Sequence, residues 1–127
     1  FATPGNATDF GDLILYGGMA AGCSDATRTV YSGGRDGGNA DNTNQMCYVT
    51  TQTTGNATDF GDLTWSSQYS LAAVANATRG VSFGGAVSGS ATTNMDYYTI
   101  QTAANAADFA DLVNALAVAV GSSGAAS

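Results

Sequence analysis

The sequence predicts an all-β protein built from repeated antiparallel strands. The nine-residue segment from Gly5 to Leu13 returns unchanged from Gly55 to Leu63 and in altered form from Ala104 to Leu112, so the copies start 50 and then 49 residues apart. The chain contains no Glu and no Lys, which usually supply the exposed positions of helices, and it is rich in Thr, Ser, Asn, Asp and Gly. A repeat of this length and composition favours units of strands joined by tight turns. We call the three copies box 1, box 2 and box 3.

Composition limits the class of protein. The chain has 127 residues, of which 44% are hydrophobic, enough for the core of one domain. Its formal net charge is −7, because ten Asp residues outnumber three Arg. Nucleic acid and anionic membranes bind clusters of Lys and Arg, so neither is an expected partner. The sequence has no apolar run of about 18 residues that would predict a membrane-spanning helix.

Each repeat unit is predicted to contain four strands, beginning with two that follow the box. An innermost strand of small and apolar residues is expected at 14–23 and again at 64–74. After a polar turn, a second strand is expected at 27–34 and at 78–85. Both copies of this second strand end in Gly-Gly, which lets the chain turn with positive φ and lets neighbouring backbones approach closely.

The remaining two strands complete the predicted unit. The third is expected at 43–50 and at 92–99, where apolar and polar residues alternate moderately, as in a half-buried strand. The fourth is expected to run through 51–54 and 100–103 into the next box. Phe1 to Pro4 aligns with the first of these segments, so the sequence is expected to begin inside a repeat. One repeat domain follows, with units 1–54 and 55–103 and a partial unit 104–127.

This order of strands and glycines resembles kelch-type repeats. Two sequence motifs are similar to the kelch-like repeats of predicted structural proteins of marine phages, especially cyanophages. They are Thr-Thr-Gly-Asn-Ala-Thr-Asp-Phe-Gly-Asp-Leu and Thr-Arg-Gly-Val with a later Gly-Gly. The resemblance covers nearly the whole chain. It implies propeller-like blades of antiparallel strands, a virion-associated or extracellular setting, and no particular catalytic residue. The sequence departs from the pattern at Cys47, where Asp is usual, and at Ala104 and Ala110 of box 3, where Gly is usual.

A propeller built from these repeats would be incomplete within this sequence. Closure takes about four to eight blades, whereas the boxes mark about two and a half units. Exposed strand edges favour pairing with further strands. We therefore expect the blades to be completed by oligomerisation, with a trimer of six blades favoured, or by a longer chain; open stacking of units is the third alternative.

Paired carboxylates are the candidate metal ligands. They lie three residues apart in every box, as Asp9 and Asp12, Asp59 and Asp62, and Asp108 and Asp111. Ca²⁺ requires six to eight oxygen ligands, and such pairs supply only part of that shell. The alternative that we favour is that Asp in a Gly-flanked turn binds local backbone amides. No metal and no cofactor are therefore expected.

Several residues are predicted to have structural roles common to the units. Arg28 and Arg79 precede the second strand at equivalent places, and each is expected to form a salt bridge with an Asp of a neighbouring box. The remaining predicted structural residues are the box aromatics and the paired glycines, namely Phe10, Phe60, Phe109, Gly33, Gly34, Gly84 and Gly85.

The two cysteines belong to the first unit only. Cys23 and Cys47 lack the CxxC spacing and the His residues of a metal site. Their counterparts in the second unit are Val74 and Asp96. A disulfide and two unrelated thiols are both compatible with this pattern.

Catalysis has few candidate groups. The chain has no His, Lys or Glu, so the commonest general base and the Schiff-base lysine are missing, and no catalytic residue is predicted. Trp65 and Tyr69 are candidate ligand-binding residues, because exposed aromatic side chains stack on sugars, although aromatic residues on strands more often lie in cores.

The predicted function is therefore non-enzymatic. We expect a structural or adhesive component of a phage virion surface or extracellular assembly, such as a head decoration, fibre or tail-associated protein. Its partners would be copies of itself or other virion proteins. The alternative is a carbohydrate-binding propeller module that recognises glycans on a host surface.

Overall fold

A computed structural model describes residues 5–14, 17–36, 43–67 and 71–121. These residues form strands and turns without a helix. The strands of the first half are β1 (Gly17–Gly18), β2 (Ala21–Ser24), β3 (Arg28–Ser32), β4 (Arg35–Asp36), β5 (Thr43–Thr50) and β6 (Thr58–Ser67). Those of the second half are β7 (Ala72–Ala75), β8 (Arg79–Phe83), β9 (Ala86–Val87), β10 (Ser90–Thr99) and β11 (Ala107–Leu116).

Two antiparallel sheets repeat the same topology. The first has the order β2-β3-β5-β6, and the second has the order β7-β8-β10-β11, with β9 paired to the start of β10. The short strands β1 and β4 form a separate ribbon. All strand pairs are antiparallel, and within the described part of the chain neither sheet closes on itself.

Matching turns join the first two long strands of each sheet. Asp25 Oδ1 accepts hydrogen bonds from the backbone N–H groups two and three residues later, both at 2.8 Å. Asn76 Oδ1 accepts from the equivalent groups at 2.9 and 2.8 Å. A short polar side chain that binds the backbone just after it is the usual way in which Asp and Asn fix a turn.

Two predicted strands lie elsewhere along the chain. The strand expected at 64–74 is divided, because 64–67 belongs to β6 and the inner strand begins only at Ala72. The fourth strand is formed by the box and the residues directly after it, as in β6, and not by 51–54. At 51–54 the chain turns instead, and Thr53 N–H donates to Thr50 O at 3.2 Å. The reason is burial: Leu63 and Trp65 alternate inward and extend the box strand. The expectation for Phe1 to Pro4 lies outside the described residues.

Consecutive boxes are hydrogen-bonded to one another. Gly55 N–H donates to Phe10 O at 2.7 Å, and Ala57 N–H donates to Asp12 O at 2.8 Å. Asp12 N–H in turn donates to Asn56 Oδ1 at 3.0 Å. Box 1 therefore lies along box 2 through backbone contacts that do not depend on a sheet of its own.

The contact between box 2 and box 3 follows the same pattern. Ala106 N–H donates to Asp62 O at 2.8 Å, and Asp62 N–H donates to Asn105 Oδ1 at 3.1 Å. Gly11 and Gly61 lie at the closest approach, with φ of 140° and 136°. A Cβ atom would be 2.4 Å from the Gly55 carbonyl oxygen at the first position and 2.5 Å from the Ala104 carbonyl oxygen at the second. Only glycine fits this place.

The approach of the boxes predicts different costs for two glycine substitutions. Gly61→Ala should lower the free energy of unfolding by at least about 2 kcal/mol, because both positive φ and a backbone clash oppose the methyl group. Gly55→Ala is the matched control, since a Cβ there meets no atom within 4 Å. Urea unfolding of both variants measures the difference, and equal stabilities would contradict the close approach.

Candidate functional site

The hydrophobic core of the described residues lies between the two sheets. One face of the first sheet packs against one face of the second, and the buried cluster is drawn from both: Ala21, Cys23, Val30, Met46, Phe60, Leu63, Trp65, Leu71, Ala73, Tyr98, Ile100 and Ala106. Antiparallel sheets commonly bury one face and leave the other open. This inter-sheet contact is the candidate site because it is where the repeat units recognise each other.

The box strand of the first sheet supplies the central aromatic residue. Phe60 lies at a bulge, where β6 has one residue more than β5 between the pairs Met46–Gly61 and Cys47–Asp59. Its ring meets that of Tyr98 edge to face, with centroids 5.6 Å apart, and that of Tyr48 at 6.0 Å. Such pairs stabilise a core beyond the area that they bury.

A line of buried hydroxyl groups crosses the contact. Ser32 Oγ and Ser82 Oγ are 2.8 Å apart, and Ser82 Oγ is 3.2 Å from Tyr98 Oη. Tyr98 Oη is also 3.2 Å from Cys23 Sγ. Burial raises the pKa of the Tyr98 phenol well above its ordinary value, and it also raises the pKa of the Cys23 thiol. Both groups therefore stay protonated and act as hydrogen-bonding partners rather than nucleophiles.

Asp96 is a buried carboxyl group that holds the box strand of the other sheet. It accepts hydrogen bonds from Thr64 N–H at 2.6 Å and from Thr64 Oγ1 at 2.7 Å. Burial raises the pKa of Asp96, and the bonds from Thr64 offset only part of that effect. The equivalent residue in the first unit is Cys47, whose pKa is raised by burial and lowered in part by the nearby Ile14 backbone. Ile14 directly follows box 1 and thus lies beside the first sheet, as Thr64, which directly follows box 2, lies beside the second.

The rim of the contact is polar. Arg28 Nη1 donates to Ile100 O across the sheets at 3.0 Å. Gln101 Nε2 donates to Asp25 Oδ2 and, at 2.6 Å, to Thr27 Oγ1. Slight burial would raise the pKa of Asp25, but the bonds from Gln101 and from the turn amides outweigh it and hold the pKa below its ordinary value.

Both arginines stack on a tyrosine of the same sheet. The Arg28 guanidinium lies 4.1 Å from the centroid of the Tyr48 ring, and Arg79 lies 4.9 Å from that of Tyr97. Among the described residues neither arginine forms the predicted salt bridge with a box Asp. Each guanidinium lies instead over a ring on the neighbouring strand, and Arg28 also donates to the Ile100 carbonyl.

The second sheet repeats this array on its outer face. Arg79, Tyr97 and Phe109 match Arg28, Tyr48 and Phe60, and the rings of Tyr97 and Phe109 meet edge to face at 5.9 Å. Phe60 is 2% exposed, whereas Phe109 is 48% exposed. The box phenylalanine that the first sheet buries is therefore exposed on the second sheet, beside an exposed Arg79 and a half-buried Tyr97. We call this surface the Arg79 face.

Box 1 is likewise only partly covered. Phe10 is 38% exposed and Leu13 is 45% exposed, although the identical residues of box 2 are buried. No strand among the described residues pairs with residues 5–13. Box 1 thus has the sequence of a strand in a sheet, but among the described residues it is contacted from one side only and pairs with no neighbouring strand.

The predicted ligand-binding residues are not brought to an open surface by the described residues. Trp65 is only 8% exposed, and its buried Nε1 atom has no hydrogen-bond partner. Trp65 is a core residue, because β6 directs its side chain toward the second sheet. It is therefore not part of an exposed aromatic surface that could bind a sugar. Tyr69 lies outside the described residues.

The candidate metal ligands also stay apart. Within the ranges described, no three Asp or Cys side chains gather as a metal site would require. Asp9, Asp12, Asp59 and Asp62 are exposed or half-exposed box residues, and Asp12 and Asp62 bind the next box through their backbones. Cys23 and Cys47 are buried free thiols on different strands.

Sequence reasoning missed the residues that cross the contact. Ser32, Ser82, Asp96 and Tyr98 were not singled out, because the sheets meet through opposite faces and these positions have no identical copy. The one available signal was the exchange of Cys47 for Asp96 between the units, which marks a position that both units use.

The fold and the site define a class of protein. The chain is an all-β protein whose four-stranded and five-stranded antiparallel sheets are joined face to face through a buried contact. No model of a known protein family matches the sequence, and no curated protein matches it significantly. None of the described residues lies in a helix long and apolar enough to cross a membrane.

The buried hydroxyl line predicts a coupling between the sheets. Tyr98→Phe should lower the free energy of unfolding by about 1–2 kcal/mol, because Ser82 and Cys23 lose a buried partner. In a double-mutant cycle with Ser82→Ala, the combined loss should be smaller than the sum of the two single losses. Strictly additive losses would show that the hydroxyl groups do not interact.

Asp96 predicts a pH-dependent difference in stability. Its folded-state pKa is raised above the ordinary value of about 3.9, so folding favours the protonated acid, and stability is lost as pH rises through the folded-state pKa. Asp96→Asn retains an oxygen for Thr64 and removes the charge. The melting temperature of the variant relative to the original chain should therefore increase between pH 4 and neutrality. A difference that does not change with pH would contradict the raised pKa.

Proposed function

We propose that this chain is a non-enzymatic structural component of an extracellular assembly, of the kind found on phage virion surfaces as decoration, fibre or tail-associated proteins. Its two stacked sheets act as propeller-like blades that associate with further blades. The resemblance of the boxes to kelch-like repeats of marine phage structural proteins supports this setting. The packing of one sheet on the other supports this mode of action, because it is the kind of contact through which further blades would associate.

One observation carries the proposal. The Arg79 face carries an arginine, a tyrosine and a phenylalanine that match those with which the first sheet packs on the second, where Phe60 is buried and Arg28 and Tyr48 are half-buried. A surface that repeats an existing buried contact is suited to receive the same kind of partner, namely another sheet of this repeat. The partners are therefore copies of this chain, in a trimer of six blades, or other proteins of the same assembly.

The chemistry of the buried groups supports a structural rather than a catalytic role. The two thiols and the Tyr98 phenol have pKa values raised by burial, and Asp96 is committed to Thr64. The tryptophan expected to bind a glycan, Trp65, is buried in the core. The structural role is therefore the function that these contacts favour.

Self-association tests the proposal. Light scattering or native mass spectrometry should give a discrete oligomer, with a trimer of the 12.7 kDa chain as the expected species. Val81→Asp places a charge on the Arg79 face, at a half-buried position of β8, and should weaken association at least about tenfold. Ser90→Asp, at the exposed start of β10 where the strand pairs with β9 rather than with β8, is the control and should leave the mass unchanged. A folded monomer at all concentrations would overturn the proposal.

A further inference from the structure

Box 1 and the Arg79 face are each half of a contact that the chain already makes once. Within the chain, β6 pairs with β5 on one side and contacts box 3 and Asp96 on the other. Box 1 makes the contacts with box 2, and Ile14 directly after it lies beside Cys47. Among the described residues, however, box 1 pairs with no third strand equivalent to β5 or β10.

The sequence of box 1 suits it for pairing with such a strand. Residues 5–13 are identical to residues 55–63, and the latter form most of the strand that pairs with β5. The strand now paired with β10 is β11, which belongs to the altered box 3 and is exposed along almost its whole length. In sequence, box 1 therefore matches β6, the strand that pairs with β5, more closely than β11 does.

Box 3 cannot take the place of box 1 against a neighbouring chain. At the position of Gly11 and Gly61, box 3 has Ala110, and among the described non-glycine residues only Met19 and Ser88 have positive φ. A Cβ at that position would lie about 2.5 Å from the carbonyl oxygen of the next box, as it would at Gly61. A neighbour that stacks on the Arg79 face must therefore supply the strand with its own glycine.

We propose that box 1 of one copy of this chain pairs with β10 of a second copy in place of β11. The exchange rests on the self-association proposed above. It brings the Arg79 face of the second copy onto the first sheet of the first copy, where Tyr31 and Val49 are only half-buried. Phe10 then takes the place of Phe109 beside Tyr97, and β2 takes the place of the segment that follows β11.

The exchange conserves strand pairing and adds buried area. The hydrogen bonds that β10 loses with β11 are replaced by those with box 1, as in exchange of identical elements between protomers. Arg79 meets the carbonyl of Thr51 in the same way that Arg28 meets that of Ile100. A single contact between two copies thus pairs the open edge of box 1 and covers the Arg79 face.

A cross-link between defined strand positions tests the register. Asn94 pairs with Asp111 in the chain, and Gln45 pairs with Asp62, so Asp12 of one copy should lie opposite Asn94 of the other. Chains that carry Asp12→Cys and Asn94→Cys separately should form a mixed disulfide when combined under mild oxidation, because directly paired strand residues have Cα atoms within disulfide reach. Thr99→Cys, five residues along β10, should not form one with Asp12→Cys.

Two phenylalanine variants separate this exchange from simple stacking. Phe10→Asp should weaken association at least about tenfold, whereas Phe109→Asp should leave it unchanged or strengthen it. Circular dichroism and the melting temperature report whether each variant still folds. An oligomer that loses association with Phe109→Asp, or forms no mixed disulfide, overturns the exchange while the proposed structural function stands; a monomer overturns both.

Discussion

The face-to-face contact of the two sheets is the interaction on which the rest of the structure depends. An isolated four-stranded sheet with one apolar face leaves that face in water, and it becomes stable by packing on a second layer. Here the second layer is the next repeat. Phe60 is buried by Tyr98 as well as by its own sheet, and Thr64 is held by Asp96. Each repeat therefore buries part of its surface against the other.

The sequence predicts the class and several elements well because they depend on local chemistry. The third strand was expected at 43–50, where β5 lies, and the polar turns at Asp25 and Asn76 lie between strands as expected. The box strand was harder to predict, since glycines interrupt the alternation that marks a strand. Its inward alternation becomes visible only once Leu63 and Trp65 are known to face the second sheet.

The candidate site was less predictable for a physical reason. Comparison of repeats finds residues that both units share, but a stacked contact joins one face of a unit to the opposite face of the next. Ser32 and Ser82 meet although the residue equivalent to Ser32 in β8 is Phe83. Arginine was assigned an acidic partner on charge alone, whereas the stacked tyrosine follows from its neighbouring strand. Propeller closure and the virion setting remain proposals.

The differences between the boxes follow the contacts that each box makes. Gly11 and Gly61 are approached by the carbonyl groups of Gly55 and Ala104, and their positive φ excludes a side chain. Within the described residues Ala110 is approached by no further box and keeps an ordinary strand backbone. Glycine weakens a strand interior because it loses more conformational freedom on folding. Alanine is therefore the better residue wherever the close approach is missing, as it is at Ala110 among the described residues.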